Sequence, residues 1–352
     1  MSWPHSPWPL FTADLELARA WLQPQLEGSS VQLQTGHTAL SLGMVGAVQA
    51  LLAQPDHLPP GAAATWGFRL ARLQGAANPY ATLVPNELQE AADQAINASQ
   101  ASGHPLAVTL FGGLGDHLEA LSLLLPWARR QGIPLQLHTS PERQQQLAPV
   151  VGNGGDVCWS DRPGLADKAL RCSLMGRPDP PPYASWIGPA DEPPTAPQGL
   201  LCCWRAVGAG DLLSAHSRSV PLGLVEAFVQ RQCAQTPDLP IFDISQWQPW
   251  EADRLRALGV ELLDPRQGGL GQLVRLCRSH RVVTIDTALA HLCAAMGHPA
   301  TVLVPRFADE RWQELDRPQH SYGQWLQRLQ SAHFGCWASL MSSPLLGSLP
   351  SV

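Results

Sequence analysis

The 352-residue sequence offers little to a polyanion: 23 Lys and Arg stand against 29 Asp and Glu, giving a formal net charge of -6 and a pI near 6.0. Affinity for nucleic acid or for an anionic membrane needs a basic field that survives physiological salt, so neither is expected as a partner. Any phosphate the chain holds must be held locally. Long apolar runs are missing too. No stretch approaches the about eighteen uninterrupted apolar residues of a membrane span, and the opening MSWPHSPWPLFTADLEL has no basic segment followed by an apolar core. Neither a membrane span nor export is expected. The eight cysteines include no CxxC paired with a second CxxC or with a spaced His pair, so they read as reduced thiols of a cytoplasmic protein and imply no metal site.

What is present changes texture once. Residues 1–103 carry apolar residues at helical spacing in LELARAWLQPQL, HTALSLGMVGAVQALLA, ATWGFRLARLQG and NELQEAADQAINASQ, which predicts a helical segment, with degenerate helical repeats as an option that no fixed period supports. From Gly103 the pattern alternates. LAVTLF (106–111) reads as a strand, FGGLGD as a glycine turn, HLEALSLLLPWARRQ as a helix stopped by Gly132, and IPLQLHT as the next strand. The proline-rich stretch Gly176–Gly199 marks a boundary, after which strand and helix alternate again to RVVTI (281–285), DTALAHLCAAM, Gly297 and ATVLVP (300–305). The expected fold class is α/β, with two Rossmann-like domains facing a cleft: 104–178, a linker at 179–199, and 200–320. A C-terminal helix and tail follow at 321–352. Ligands of such sheets bind beyond the carboxyl ends of the strands.

Two strand-to-helix turns carry the chemistry. In Asp286-Thr287-Ala288-Leu289-Ala290-His291 a strand ends and a helix begins, so first-turn amides, a hydroxyl and an imidazole one turn on suit a diphosphate. The competing reading is a helix cap at Asp286 or Thr287 with His291 as an interior histidine. In Gly112-Gly113-Leu114-Gly115-Asp116-His117 the glycines permit close approach of a ligand, and Asp116 stands where a general base would, unless it only caps its helix. A dinucleotide fingerprint is disfavoured, because Leu118 replaces its third glycine and no acidic residue closes IPLQLHT. Arg218 in HSRSVPL, Arg205 after CCW, and Asp309-Glu310-Arg311-Trp312 after ATVLVP are further candidates for phosphate or base contact, each also readable as an ordinary surface group.

Taken together, these segments resemble the heptosyltransferase family (glycosyltransferase family 9) and its relatives attached to tetratricopeptide repeats. VVTIDTALAHLCAAMGHPATVLVPRFADERW is similar to that family's strand, DT-x-x-x-H helix start, GxP exit and terminal D-x-RW. HSRSVPL resembles its RSIPL signature, FGGLGDHLEALSLLLP its GGxGD turn and helix, and CSLMGRPDPPPYASW its approach to the linker. The likeness spans about 106 to about 330. It implies a GT-B architecture and inverting, metal-independent transfer without a cofactor, from a nucleotide-diphosphate sugar to a hydroxyl acceptor such as a glycan, a lipid-linked sugar or a protein. By position, Asp116 takes the place of the catalytic base. Asp286, Thr287, Ala288 and His291, with Arg218 and Arg205, lie on the donor side, and Gly113, Gly115 and His117 belong to the acceptor-side loop. The chain departs from the pattern in the loop CCWRAVGAGDLLSAH, which lacks the usual lysine, and at Ala288, where glycine or serine is frequent. These departures favour the alternative, a non-catalytic GT-B scaffold whose helical segment docks a protein partner; a nucleotide-sugar 2-epimerase ranks third.

Overall fold

The computed structural model describes residues 15–28, 31–74, 78–151, 155–188, 198–206, 218–305, 312, 322, 325–331, 337–343 and 346. Helices α1 (Leu15–Leu26), α2 (Leu33–Ser41), α3 (Val45–Leu52) and α4 (Ala62–Leu73) enclose a small core built on Leu22, Leu40, Leu42, Val48 and Trp66. Trp66 is fully buried and donates its indole N–H to the Leu33 carbonyl at 3.0 Å, so its polar edge is satisfied while its ring fills the centre. Only glycine fits opposite it, since a Cβ on Gly36 would lie 2.1 Å from the ring. Helix α5 (Asn86–Ser102) behaves differently from α1–α4. It buries Ala92 and Ile96 in the core of the sheet that follows, so by packing it belongs with that sheet.

That first sheet comprises β1 (Leu106–Thr109), β2 (Leu135–His138), β3 (Val157–Trp159) and β4 (Leu165–Ala166), with α6 (Leu114–Gln131), α7 (Pro141–Val151) and α8 (Asp167–Met175) between and after the strands. All pairings are parallel in the order β3-β2-β1-β4, so the direction of winding reverses between β1 and β4. Helix α6 is buried on nearly every side from His117 to Ala128, as expected of LEALSLLLPWA, and Gly132 ends it in the left-handed region at φ 66°.

The second sheet holds β5 (Leu200–Cys203), β6 (Ile241–Asp243), β7 (Val260–Leu262), β8 (Arg281–Ile285), β9 (Ala300–Val304) and β10 (Leu326–Gln330). Helices α9 (Leu222–Gln235), α10 (Pro249–Ala257), α11 (Gly269–Ser279) and α12 (Ala288–Met296) connect these strands, and the short α13 (Ala338–Met341) follows them. The parallel order β10-β9-β8-β5-β6-β7 is doubly wound, with its reversal between β5 and β8. Leu200 and Cys202 pack on one face and Leu201 and Cys203 on the other, which is why LLCC reads as a continuous apolar run. Residues 321–352, expected as a helix and tail, contain α13 and, before it, an edge strand: Leu326 pairs in register with Ala300 and Gln330 with Val304. The three-residue spacing of Leu326 and Leu329 suits a helix, but the open edge of β9 overrides so weak a local preference.

The two Rossmann-like units make an α/β arrangement, and one apolar cluster runs through both, from Val108 and Leu121 to Leu201, Val282 and Val302. Part of the proline-rich stretch lies across the junction. Ala184 donates its N–H to the Ser122 carbonyl of α6 at 2.9 Å, and Trp186 and Ile187 donate theirs to the Ala295 carbonyl of α12 at 2.8 and 3.0 Å. The Trp186 indole reaches the Ser122 hydroxyl at 3.2 Å. Residues 189–197 of the linker lie outside the described residues. Among those described, no helix is long and apolar enough to cross a membrane.

Candidate functional site

At the reversal point of the second sheet, β8 runs into Asp286 and Thr287, and α12 begins. Thr287 is the N-cap, extended at φ -143° and ψ 175°, yet its own side chain makes no capping hydrogen bond. Its hydroxyl turns inward instead, 3.1 Å from the Thr284 hydroxyl and 3.8 Å from the Cys203 sulfur. Thr287 therefore does not cap this helix through its side chain, and the first-turn amides, with the small Ala288 side chain beside them, lie at the positive end of the helix at the strand ends. Asp286 is almost fully buried. Arg218 Nη1 donates to its carbonyl at 2.9 Å and lies 3.5 Å from its Oδ2. His291, also buried, places Nε2 3.7 Å from Asp286 Oδ1 and Nδ1 2.7 Å from the Tyr322 hydroxyl. Its ring stacks on Tyr322 at 5.3 Å and 28°, with Trp312 tilted against it at 5.3 Å.

The corresponding turn of the first sheet follows β1. Gly112 has φ 100°, a conformation only glycine adopts readily, and a Cβ there would lie 2.6 Å from Asp116 Oδ2. Asp116 accepts the Gly113 N–H at 2.8 Å through that same oxygen, so one carboxylate oxygen secures the helix start. His117 is buried, with Nδ1 2.7 Å from the Gly113 carbonyl and Nε2 2.8 Å from the Thr139 hydroxyl. Burial pushes its pKa below the usual imidazole value, outweighing the hydrogen bond to Gly113 that acts the other way. Beneath the turn, Asp167 accepts the Phe111 N–H at 3.2 Å and binds Arg171 at 2.8 Å, and Arg171 approaches Glu119 at 3.7 Å.

The two turns meet. A Cβ on Gly115 would fall 2.6 Å from His291 Cδ2 and 3.0 Å from its Nε2, so the residue beside Asp116 abuts His291 across the junction. Arg218 joins this group. Arg205 does not: it forms an ion pair with Glu251 of α10, and its guanidinium lies 5.0 Å from the centre of the Trp247 ring. The Glu251 carboxylate of α10 and the Trp247 indole of the loop after β6 compete for the charge that sequence reasoning assigned to phosphate. His216, Ser217, Asp309, Glu310 and Arg311 lie outside the described residues.

Sequence reasoning missed three polar residues here. Tyr322, the hydroxyl partner of His291, lies 31 residues away in a segment with no motif. Asp167 begins α8 at the end of the two-residue β4, too short a strand for periodicity to reveal. Asp243 had a signal, a carboxylate closing the apolar strand LPIFDI. It accepts the Ser245 N–H and the Trp247 indole N–H, each at 2.7 Å, and burial raises its pKa to about 6 against those hydrogen bonds. Burial likewise raises the neighbouring Cys203 thiol to about 11, which leaves it a protonated core residue. Among the described residues no group of three His, Cys, Asp or Glu side chains is arranged to hold a metal ion.

No family model matches the sequence, and no curated protein matches it. Solved structures do resemble it at low identity. The E. coli heptosyltransferase WaaC with ADP-2-deoxy-2-fluoro heptose aligns at a TM-score of 0.44 and 13% identity, over 69% of this chain and 99% of that one. E. coli ADP-heptose lps heptosyltransferase II aligns at 0.44 and 11%, over 64% and 90%. The iron-containing dodecameric glycosyltransferase TibC from enterotoxigenic E. coli aligns at 0.41 and 14%, over 66% and 65%.

Proposed function

We propose that this chain is an inverting glycosyltransferase that moves a sugar from a nucleotide-diphosphate sugar to a hydroxyl acceptor without a metal. The observation that carries the reading is the meeting of two complementary helix starts. An acidic one at Asp116 stands on one wall and an electropositive one at Thr287–His291, which the Thr287 side chain does not cap, on the other, in contact through Gly115 and His291. The diphosphate sits at the start of α12. A helix N-terminus stabilises an anion by about 0.3–1 kcal/mol when exposed and up to about 2 kcal/mol when partly buried, and Arg218 adds a formal charge. As the bond from the anomeric carbon to the diphosphate oxygen breaks, the growing negative charge meets dipoles that are already in place. On the other wall Asp116 takes the proton of the attacking hydroxyl. With base and leaving-group seat on opposite walls, a single displacement inverts the anomeric centre.

The test combines binding and turnover. Thermal-shift measurements against ADP-heptose and a panel of other nucleotide sugars should show a raised melting point for one donor, by about 2.7 kcal/mol of stabilisation at 100 times its Kd. With that donor, Asp116→Ala should bind as the wild type does and lose about 10²- to 10⁴-fold in transfer or donor hydrolysis. Equal turnover removes Asp116 from the mechanism, and no shift with any donor leaves the non-catalytic scaffold as the better reading.

A further inference from the structure

His291 Nε2 lies between Asp286 and Gly115 beside the start of α12, and what that nitrogen can do depends on which ring nitrogen carries the proton. The neighbours of the ring decide this. On one side Tyr322 Oη lies 2.7 Å from Nδ1, and on the other Asp286 Oδ1 lies 3.7 Å from Nε2. A neutral imidazole has one donor and one acceptor nitrogen. With the proton on Nδ1, the Nε2 lone pair would face a buried carboxylate oxygen, two acceptors turned towards each other with little water to separate them. With the proton on Nε2, the N–H faces the carboxylate, and the tyrosine hydroxyl donates to the Nδ1 lone pair. The approach of the same hydroxyl to the His291 carbonyl, at 3.5 Å, is far longer.

We infer that Tyr322 is a positioning residue that fixes His291 as its Nε2–H tautomer, so that the neutral ring presents a hydrogen-bond donor at the start of α12. The surrounding rings hold this arrangement. Tyr322 stacks on His291, its edge meets Tyr183 at 5.4 Å and 65°, and Trp312 closes the group 5.9 Å from Tyr322. Gly115 lets α6 approach the same edge of the imidazole, because any side chain there would displace it. A histidine so held adds an N–H to the row of first-turn amides beside Asp286 and Arg218. Its use on a diphosphate rests on the function proposed above, whereas the tautomer does not.

The experiment reads the tautomer directly. The full chain, labelled with ¹⁵N in histidine, is examined by long-range ¹H–¹⁵N correlation at pH 8, above the usual imidazole pKa of about 6.5. The His291 signals are assigned by loss in His291→Gln. The expected wild-type spectrum shows Nε2 protonated and Nδ1 as a hydrogen-bonded acceptor. In Tyr322→Phe, which keeps the stacked ring and loses only the hydroxyl, the Nδ1 signal moves to the position of an unbonded acceptor or averages between tautomers. A wild-type His291 protonated on Nδ1, or on both nitrogens at pH 8, overturns the inference, as does an unchanged spectrum in Tyr322→Phe. The wild-type spectrum decides the tautomer even if the variant fails to fold. In parallel, ADP, UDP and GDP are titrated into both proteins. About tenfold weaker binding in Tyr322→Phe supports the donor role of Nε2–H, and equal affinity overturns that role. Binding of none of the three, with the tautomer as expected, would count against the donor-site reading alone.

Discussion

Replacing Gly115 by alanine puts the junction between the two units under a defined load. The new Cβ would stand 2.6 Å from His291 Cδ2 and 3.0 Å from Nε2, about 0.8 Å inside ordinary van der Waals contact. Relief requires the imidazole to move, and it is held by Tyr322 at 2.7 Å and by stacking with Tyr322 and Trp312. Forcing extra volume into such packing costs about 1–3 kcal/mol. Glycine-to-alanine inside a helix returns about 0.5–1 kcal/mol, so the net expectation is a loss of about 1–2 kcal/mol. Each kcal/mol lowers the melting point by about 2–4 °C in a domain of this size class. Gly223 supplies the control. It lies at an exposed position of α9 with nothing within 4 Å of its would-be Cβ, so Gly223→Ala should be neutral or stabilise by up to about 1 kcal/mol. Thermal and urea unfolding of both variants against wild type measure the difference. If Gly115→Ala follows Gly223→Ala in sign and size, the contact that brings the two walls together does not exist.

Two further outcomes rest on other parts of the fold. Gly36→Ala sets a Cβ 2.1 Å from the fully buried Trp66 ring and should cost the α1–α4 bundle about 1–3 kcal/mol, read as earlier loss of its helical signal in urea. Asp243 titrates near 6 in the folded chain because it is buried, against an ordinary 3.8. The folded state thus favours the protonated form, so this group's contribution is fully present below about pH 4 and falls as pH rises through about 6, by about 3 kcal/mol in all. Asp243→Asn should flatten that part of the stability profile while losing the acceptor for the Trp247 indole; an unchanged slope between pH 4 and 6 would remove Asp243 as its source.

How much of this was legible in the sequence follows from the range of the interactions. The βαβ units at 106–138 and 281–304 are written in local pattern, as a continuous apolar run, a glycine or Asp-Thr turn, and helical spacing. Their strand ends therefore mark the right turns. The partners of the residues at those turns are not written there. Tyr322 reaches His291 over 31 residues, Phe111 reaches Asp167 over 56, and Arg218 reaches Asp286 over 68. Periodicity carries no information at such separations. Arg205 shows the converse. Its place after β5 was readable, but its capture by Glu251 depends on where α10 starts, and α10 is set by Pro249 and by the Gln248 N–H donating to the Glu251 carboxylate at 2.9 Å. The amphipathic face of α5 was equally plain, while the surface that receives it depends on the whole first sheet.

The short crossing at 184–187 has a consequence for access. It is fastened to α6 at Ser122 and to α12 at Ala295, the two helices whose starts carry the site, by main-chain bonds of 2.8–3.0 Å and one indole bond. A span anchored on both piers holds their separation whether or not anything lies between them. For the function proposed above, entry is then along the rim formed by the strand ends, because prying the walls apart at this edge means first tearing out the rivets.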